Sequence, residues 1–414
     1  MKKFNLLFAE EAPQQTEEPS GKVHGHTTHV EDYSYMHGAD GYRHAVKHLI
    51  GMHNAMRGLP SDVKVGRKDD GSPSLVWGTN PENGKFFVAT KAIGNKTPKI
   101  NYTPEDIERN HGHAPGLVEK MNAALEHLPK VTPGNKVYQG DVMYTKPDVQ
   151  DEGKTYSFTP NTLKYDVDKN STEGKKVSNA KIGVSTHTEY QGDGTNTLAG
   201  MSPKFMPNLA RFKSHSDVHV ISTKVPVDSS HYSDEEKLKF LDHMNSAEKE
   251  FQAMPKHGHD AVGQHADAIG TYLNHEIRQN GAPTHAGFMR HVREKEEKAI
   301  AKLKTPSAID RKRALLDQRL AHIQVNKPHI ERALRLHNHL QKAKNTLINS
   351  LENNKQYGYS LGGQKSGPEG FVSVDKDNNI SKFVRRQDEP GKPAFSAANF
   401  AMSKNRSQPT NTPE

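Results

Sequence analysis

Lys68-Asp69-Asp70-Gly71 is the stretch of this chain whose residue types and spacing are best suited to chemistry. It follows an alternating run, Val63-Lys64-Val65-Gly66-Arg67, and precedes a second strand-like run from Ser74 to Gly78. A turn between two strands projects the Lys68 amine from the end of a rigid sheet. A lysine acts as a nucleophile only without its extra proton, so its ordinary pKa of ~10.4 has to be lowered by a neighbouring cation, a bound metal or burial. Asp-Gly also favours tight hairpins, and a charged turn is the competing reading. The other candidates are weaker. His24-Gly25-His26 with His29, and His257-Gly258-His259, lack the helical His-Glu-x-x-His pattern and argue against a dedicated metal site. His337 and His339 lie two apart, cannot share a helix face, and read as solvated or packed residues. Residues 311–344 carry Arg311, Arg313, Arg319, Arg332 and Arg335 with four lysines against Asp317 and Glu331. That surface suits a phosphate backbone or, equally, a solvated helix face.

The elements that position these residues follow from period and turn chemistry. A helix is expected from Asp40 to Met56, ending at Gly58-Leu59-Pro60. The runs Val63–Arg67, Ser74–Gly78 and Lys85–Ala92 predict a β-meander around the tetrapeptide. Leu117, Met121, Leu125 and Leu128 predict a helix, and Val137–Tyr144, Thr155–Val167 and Ala180–Thr188 predict strands, with a hairpin-like turn at Lys169–Gly174. Residues 191–217 read as loop, and Val218–Val225 as a last strand. Ser233 and Glu236 form a capping box, after which helix period runs almost unbroken to Glu352. Gly370–Val374 and Ile380–Val384 form a hairpin about Asp377-Asn378-Asn379. The expected organisation is a flexible segment over 1–22, a first core portion over 23–228, a helical insertion over 229–355, a second core portion over 356–400 and a disordered tail over 401–414.

Composition narrows the classes. Only 32% of the 414 residues are hydrophobic, which excludes one compact apolar globule. The absence of cysteine excludes disulfides, thiolate zinc sites and cysteine nucleophiles. Apolar runs such as Phe86-Phe87-Val88-Ala89 are strand-sized, far below the ~20 residues of a membrane span, so a soluble protein is expected. Fifty-seven Lys and Arg against 49 Asp and Glu give +8, which favours an anionic partner such as nucleotide or nucleic acid.

Lys68-Asp69-Asp70-Gly71 fits Lys-x-Asp-Gly, and further pieces follow in order. Gly140-Asp141-Val142 is similar to a Gly-Glu strand with Asp in place of Glu. Glu369-Gly370-Phe371-Val372 fits Glu-Gly-hydrophobic-Val, and Lys382 lies on the next strand. In this order the pieces resemble motifs I, III, IV and V of the ATP-dependent nucleotidyltransferase superfamily, the polynucleotide ligases and messenger-RNA capping enzymes. Thr90-Lys91 resembles a position that the family aims at phosphate. Two departures stand out. The strand Lys181–His187 lacks the Phe-Asp pair of motif IIIa, so His187 or Tyr190 substitutes or base recognition differs, and too little chain follows Lys382 for an appended OB-fold. The resemblance covers residues 60–225 and 358–400. The opening decapeptide, ending Phe8-Ala9-Glu10, is loosely similar to capsid-targeting peptides of tailed-phage internal head proteins, which suggests a phage member.

The resemblance implies an α+β fold, an antiparallel-sheet ligase-type core interrupted by helices. It implies ATP-dependent joining of RNA or DNA ends through a lysyl-AMP intermediate, with ATP and Mg2+ as cofactors. Lys68 and Lys382 would be catalytic, and Asp70, Gly71, Lys91, Asp141 and Glu369 would surround the nucleotide with them. Asp141 and Glu369 would hold the metal, because magnesium prefers oxygen ligands beside substrate phosphate. Arg311, Arg313, Arg319, Arg332 and Arg335 would take the nucleic acid in place of the missing clamp. The expected location is the cytoplasm of a bacterial host or, with the prohead as partner, the virion, and no membrane is involved. Two alternatives are an internal head protein that binds nucleic acid on an inactive ligase-like fold, and a capping-type guanylyltransferase. All of this requires Lys68 and Glu369 to meet.

Overall fold

The strand β1 (Val63–Lys68) follows two helices, α1 (Tyr33–Met36) and α2 (Gly38–Met56), the second carrying the apolar stripe of Val46, Leu49 and Met52. These positions come from a computed structural model, which describes residues 27–352 and 357–387 apart from 193, 196, 226 and 228, together with 394 and 395. The expected segment 1–22 and tail 401–414 lie outside the described residues. The chain continues through β2 (Ser74–Thr79), β3 (Phe86–Thr90), α3 (Pro104–His111), α4 (Pro115–His127), β4 (Val137–Thr145), β5 (Gln150–Glu152), β6 (Thr155–Phe158) and β7 (Lys164–Asp168). It then forms α5 (Thr172–Asn179), β8 (Ile182–Gly192), β9 (Met201–Phe205) and β10 (Val218–Ile221). Six helices follow: α6 (Asp234–Gln252), α7 (Lys256–Gly263), α8 (Ala266–Arg278), α9 (His285–Ile300), α10 (Pro306–Val325) and α11 (Lys327–Leu351). Four strands complete the order: β11 (Gly358–Leu361), β12 (Gln364–Ser366), β13 (Gly370–Asp375) and β14 (Ile380–Phe383).

The protein is α+β, and its sheets are antiparallel apart from the parallel pair β8 and β10. Strand order is β1-β13-β14 in a three-stranded sheet, β10-β8-β4-β2-β3 with β9 on β8 in a six-stranded sheet, and β12-β11-β7-β6-β5 in a five-stranded sheet. The meander expected at 63–92 therefore does not form. β2 and β3 pair, but β1 pairs with β13. Burial explains the split. Leu75, Val76 and Trp77 are buried in succession, as in a strand covered on both faces, whereas β1 turns only Val63 and Val65 into a helix-covered core. The turn expected at Lys169–Gly174 is the start of α5, where the Ser171 hydroxyl caps the Gly174 N–H. β9 lies within the stretch read as loop.

Helices α3 and α4 cover one face of the six-stranded sheet through Trp77, Ile107, Met121, Leu128 and Tyr138. The helices after residue 233 are not a detached lobe. α11 contributes Leu336, Leu340 and Leu347, and α6 contributes Phe240 and Met244, to the same core as Leu49 and Met52 of α2 and Phe371 and Phe383 of the three-stranded sheet. A second cluster, with Ile269, Phe288, Leu320 and Ile330, holds α8, α9 and α10 to α11.

Candidate functional site

The β1–β13 register sets Lys68 opposite Gly370, so Glu369 arrives at the end of β1 although 301 residues separate it from Lys68. Lys68 Nζ donates to Glu369 Oε1 at 2.6 Å and Oε2 at 2.7 Å. Strand period 2 adds Lys382: Gly66 pairs with Val372 and Val372 with Lys382, which places Lys382 on the face that Lys68 shares. Gly370 is required by packing, because a Cβ there would sit 2.5 Å from the Phe383 carbonyl oxygen. Gly71 is required for the same reason, since its Cβ would meet Asp141 Cβ at 2.4 Å. The tetrapeptide thus passes directly against Asp141, which stands on β4 opposite Ser74 and Ser185 with His187 Nε2 3.9 Å from its Oδ1.

Two buried carboxylates hold the lysine loop. Asp69 accepts from the Arg67 guanidinium and from Ser185 Oγ at 2.7 Å, and Arg67 lies over the Tyr357 ring at 4.9 Å. Asp70 accepts from Asn161 Nδ2 at 2.8 Å and from the N–H groups of Thr162 and Leu163 at 2.7 Å each, while its own N–H donates to Tyr165 Oη at 2.7 Å. Asp70 and Gly71, expected beside a nucleotide, therefore have structural tasks. The first ties the loop to the β6–β7 connection and the second permits close approach to Asp141. Sequence reasoning missed Arg67 and Asp69, whose only signal is opposite charge two residues apart in a strand.

The charges shift one another. Burial opposes the charge of Lys68, but the Glu369 carboxylate outweighs it and raises the lysine above its ordinary value. Here neither burial nor a neighbouring cation brings the Lys68 amine down. The depressed amine is Lys382 itself, brought down to about 8 by burial and then by Lys68. Burial, with Asp70 and Asp141 nearby, raises Glu369 to about 7 against the pull of Lys68. Burial also pushes the Asp141 carboxyl up, but His187, Lys68 and Ser74 leave it below its ordinary range. Two lysines and two carboxylates on one spot make an arrangement able to bind a phosphate.

The remaining predicted residues lie elsewhere. Lys91 opens a short 3-10 turn and is exposed, one residue past Thr90, which faces Leu75. Three of the five arginines tie helices together: Arg319 to Glu296 at 3.1 Å, and Arg332 and Arg335 to Glu250 at 3.1 and 2.8 Å. Arg332 and Arg335 share the one Glu250 carboxylate, Lys312 shares Glu296 with Arg319, and Arg311 and Arg313 are exposed. Lys344 is wholly buried against Glu31 and the Val384 carbonyl. Beside that pair, Asp32 accepts from Arg386 at 2.7 Å and bonds His337 at 2.9 Å. Glu31, Asp32 and His337 could together face a metal ion, but Lys344 and Arg386 already supply the positive charge there. The backbone of Thr28 and Val30 pairs with Lys382, which joins this network to the lysine site.

The fold is α+β with largely antiparallel sheets, and a lysine–glutamate pair joins the ends of two neighbouring strands. The chain belongs to a family of unknown function (DUF6267), which matches residues 24–404 and so includes Lys68, Asp141, Glu369 and Lys382. No curated protein and no solved structure matches it. No helix among the described residues is long and apolar enough to cross a membrane.

Proposed function

We propose that Lys68 is the nucleophile of a nucleotidyl transfer from ATP, and that the protein joins polynucleotide ends through that intermediate. The carrying observation is the contact of Lys68 Nζ with both Glu369 oxygens, with Asp141 acting on the same two groups and both of them acting on Lys382. An α-phosphate entering here pairs with Lys382 and Lys68 and loosens the hold of Lys68 on Glu369. Glu369, at about 7, then accepts the lysine proton. The freed amine bonds to the α-phosphorus and gives its second proton to water, the bond to the β-phosphate bridge oxygen breaks, and pyrophosphate leaves. A 5′-phosphate oxygen of the polynucleotide next attacks the phosphoramidate, and Lys68 leaves with a proton returned from Glu369. A 3′-hydroxyl finally bonds to that 5′-phosphorus, its proton passes to water, and AMP leaves, which seals the strand.

Asp141 suits Mg2+, because it is an oxygen donor held below its ordinary range beside the place where the phosphate would lie, while Glu369 serves as the base. The metal would neutralise triphosphate charge. Incubation with α-labelled ATP and Mg2+ is expected to leave label on the protein, lost in Lys68→Ala and kept in Lys239→Ala, an exposed control. Label from GTP alone would favour the capping-type reaction. No label from either nucleotide would leave the nucleic-acid-binding reading and overturn this one.

A further inference from the structure

Helix α2 meets the three-stranded sheet at a polar strip as well as through its apolar stripe. His44 and His48, one turn apart, have ring centroids 4.4 Å from each other. His44 Nε2 lies 2.8 Å from Ser381 Oγ on β14, and His48 Nδ1 lies 2.7 Å from Ser373 Oγ on β13. The other ring nitrogen of His48, Nε2, is buried without a hydrogen-bond partner and stands 3.9 Å from Asp375 Oδ2, with both side chains closed to solvent. A protonated Nε2 would draw that carboxylate to hydrogen-bond distance. With Nδ1–H donated to Ser373, Nε2 instead presents its lone pair to the acid, so two electron-pair donors face each other. Burial and then His44 bring the ring down to about 3 against the pull of Asp375, and it stays neutral. Asp375 is held in place by its Oδ1, which accepts the N–H groups of Asp377 and Asn379 at 2.9 and 2.8 Å, and by Asn379 Nδ2, which donates to Oδ2 at 3.0 Å. Lys47 Nζ bridges Asp375 Oδ2 at 2.6 Å and Asp377 Oδ2 at 2.9 Å, so one ammonium faces two carboxylates.

We infer that His48 Nε2, Asp375 and Asp377 form a site for a divalent transition-metal ion of the zinc class, whose place the Lys47 ammonium takes when no ion is bound. The donor set decides the class, because calcium and magnesium take oxygen ligands whereas an imidazole beside carboxylates suits zinc. Two ligand atoms about 2.1 Å from a tetrahedral zinc ion lie about 3.4 Å apart, so His48 and Asp375 have only about half an ångström to close. Ser373 fixes the tautomer and direction of the His48 ring, a support that metal-bound histidines almost always have. Lys47 and Asp377 are 37% and 48% exposed, so the ammonium can swing into solvent and the loop carboxylate can turn to the ion. This separates the site from Glu31, Asp32 and His337, where two buried cations, Lys344 and Arg386, face the two carboxylates. Asp375 pairs with Val63 at the far end of β1 from Lys68, roughly 17 Å along the strand. The ion therefore braces α2 against the strand that leads from Glu369, and its presence does not depend on the reading of Lys68.

The full-length protein, stripped with EDTA and dialysed, is titrated with ZnCl2 by calorimetry. The 25 histidines of the chain offer zinc weaker places elsewhere, so the variants decide which site is the tight one. Asp377→Asn, at a loop position, should weaken the tightest site at least tenfold, the least that loss of even a supporting partner costs. Lys47→Met should tighten the same site by about tenfold, because the ammonium no longer competes with the dication for the carboxylates. His48→Gln should abolish it; where melting shows that variant to be unfolded, Asp377→Asn and Lys47→Met carry the test. CaCl2 should bind at least a hundredfold more weakly than ZnCl2. Zinc affinity unchanged in Asp377→Asn overturns the inference, as does affinity unchanged or weakened in Lys47→Met. Calcium binding as tight as zinc also overturns it, because the imidazole is then not a ligand.

Discussion

Two lysine–glutamate pairs flank β14, and they differ in what surrounds them. Lys344 and Glu31 are both 0% exposed, Lys344 also donates to Val384 O, and Arg386, Asp32 and His337 close the network around them. Lys68 is 32% exposed and Glu369 10%, and beside them stand a depressed lysine and a further carboxylate. The first pair is a staple between the segment before α1, α11 and the end of β14. The second is partly exposed at Lys68, and its charges shift one another: Glu369 is raised and Lys382 lowered. The same two side chains thus make a fixed tie where both are enclosed, and a pair that solvent or a ligand can reach where the lysine is partly exposed.

Removal of one partner tests the contrast most strongly. Lys344→Met leaves Glu31 charged in the interior and should lower stability to denaturant by about 3–5 kcal/mol. Lys68→Met should lower it by only about 1 kcal/mol, since Glu369 can take up a proton and the site is open to water. Equal losses would erase the distinction.

A smaller effect lies in pH dependence. Glu369 is raised, so the folded state binds more protons than the unfolded state between the ordinary value of 4.5 and about 7. Stability should therefore fall as pH rises through that window, and Glu369→Gln should remove the slope. Asp32 is lowered, its burial outweighed by Arg386 and His337, and its contribution is present above the ordinary value of 3.8 and lost as pH falls below it. Denaturant midpoints across pH for Glu369→Gln and Asp32→Asn read the two opposite signs.

The smallest effect carries the contrast between matched and free charge into the helices. Arg311 and Arg313 have exposed charge, and their replacement by Ala should lower the salt slope of nucleic-acid binding by about 1 to 2, one unit for each phosphate that is no longer neutralised. Replacement of Arg332 and Arg335, which share Glu250, should lower the slope by less, because one of their two charges is matched.

Local signals were legible where they rest on neighbouring residues. The hairpin about Asp377-Asn378-Asn379 forms because Asp375 accepts the N–H groups of Asp377 and Asn379 and Asn378 adopts positive φ. The start of α6 follows from the Ser233–Glu236 capping box. α3 was missed although Thr103 and Asp106 form the same kind of box, because its eight residues carry only Ile107 and His111 into the interior. Glu31 and Asp32 were missed because nothing near them in the chain distinguishes a buried acidic pair from a solvated one. Of the candidate site, the lysine turn, Asp141, Glu369 and Lys382 were legible as types at strand ends, and Arg67 and Asp69 were not.

Residue order alone determined where many of the strands and helices begin, α3, α5 and β9 excepted, and where Lys68 leaves its strand, since period, caps and turn preferences act over a few residues. Only the tertiary structure decided that β1 joins β13, that Glu369 grips Lys68, and that of the two lysines at this site the lowered one is Lys382. Strand pairing across some 300 residues is set by which faces must be buried together. The titration of an amine depends on the charges and solvent within a few ångströms of it, whatever their distance along the chain.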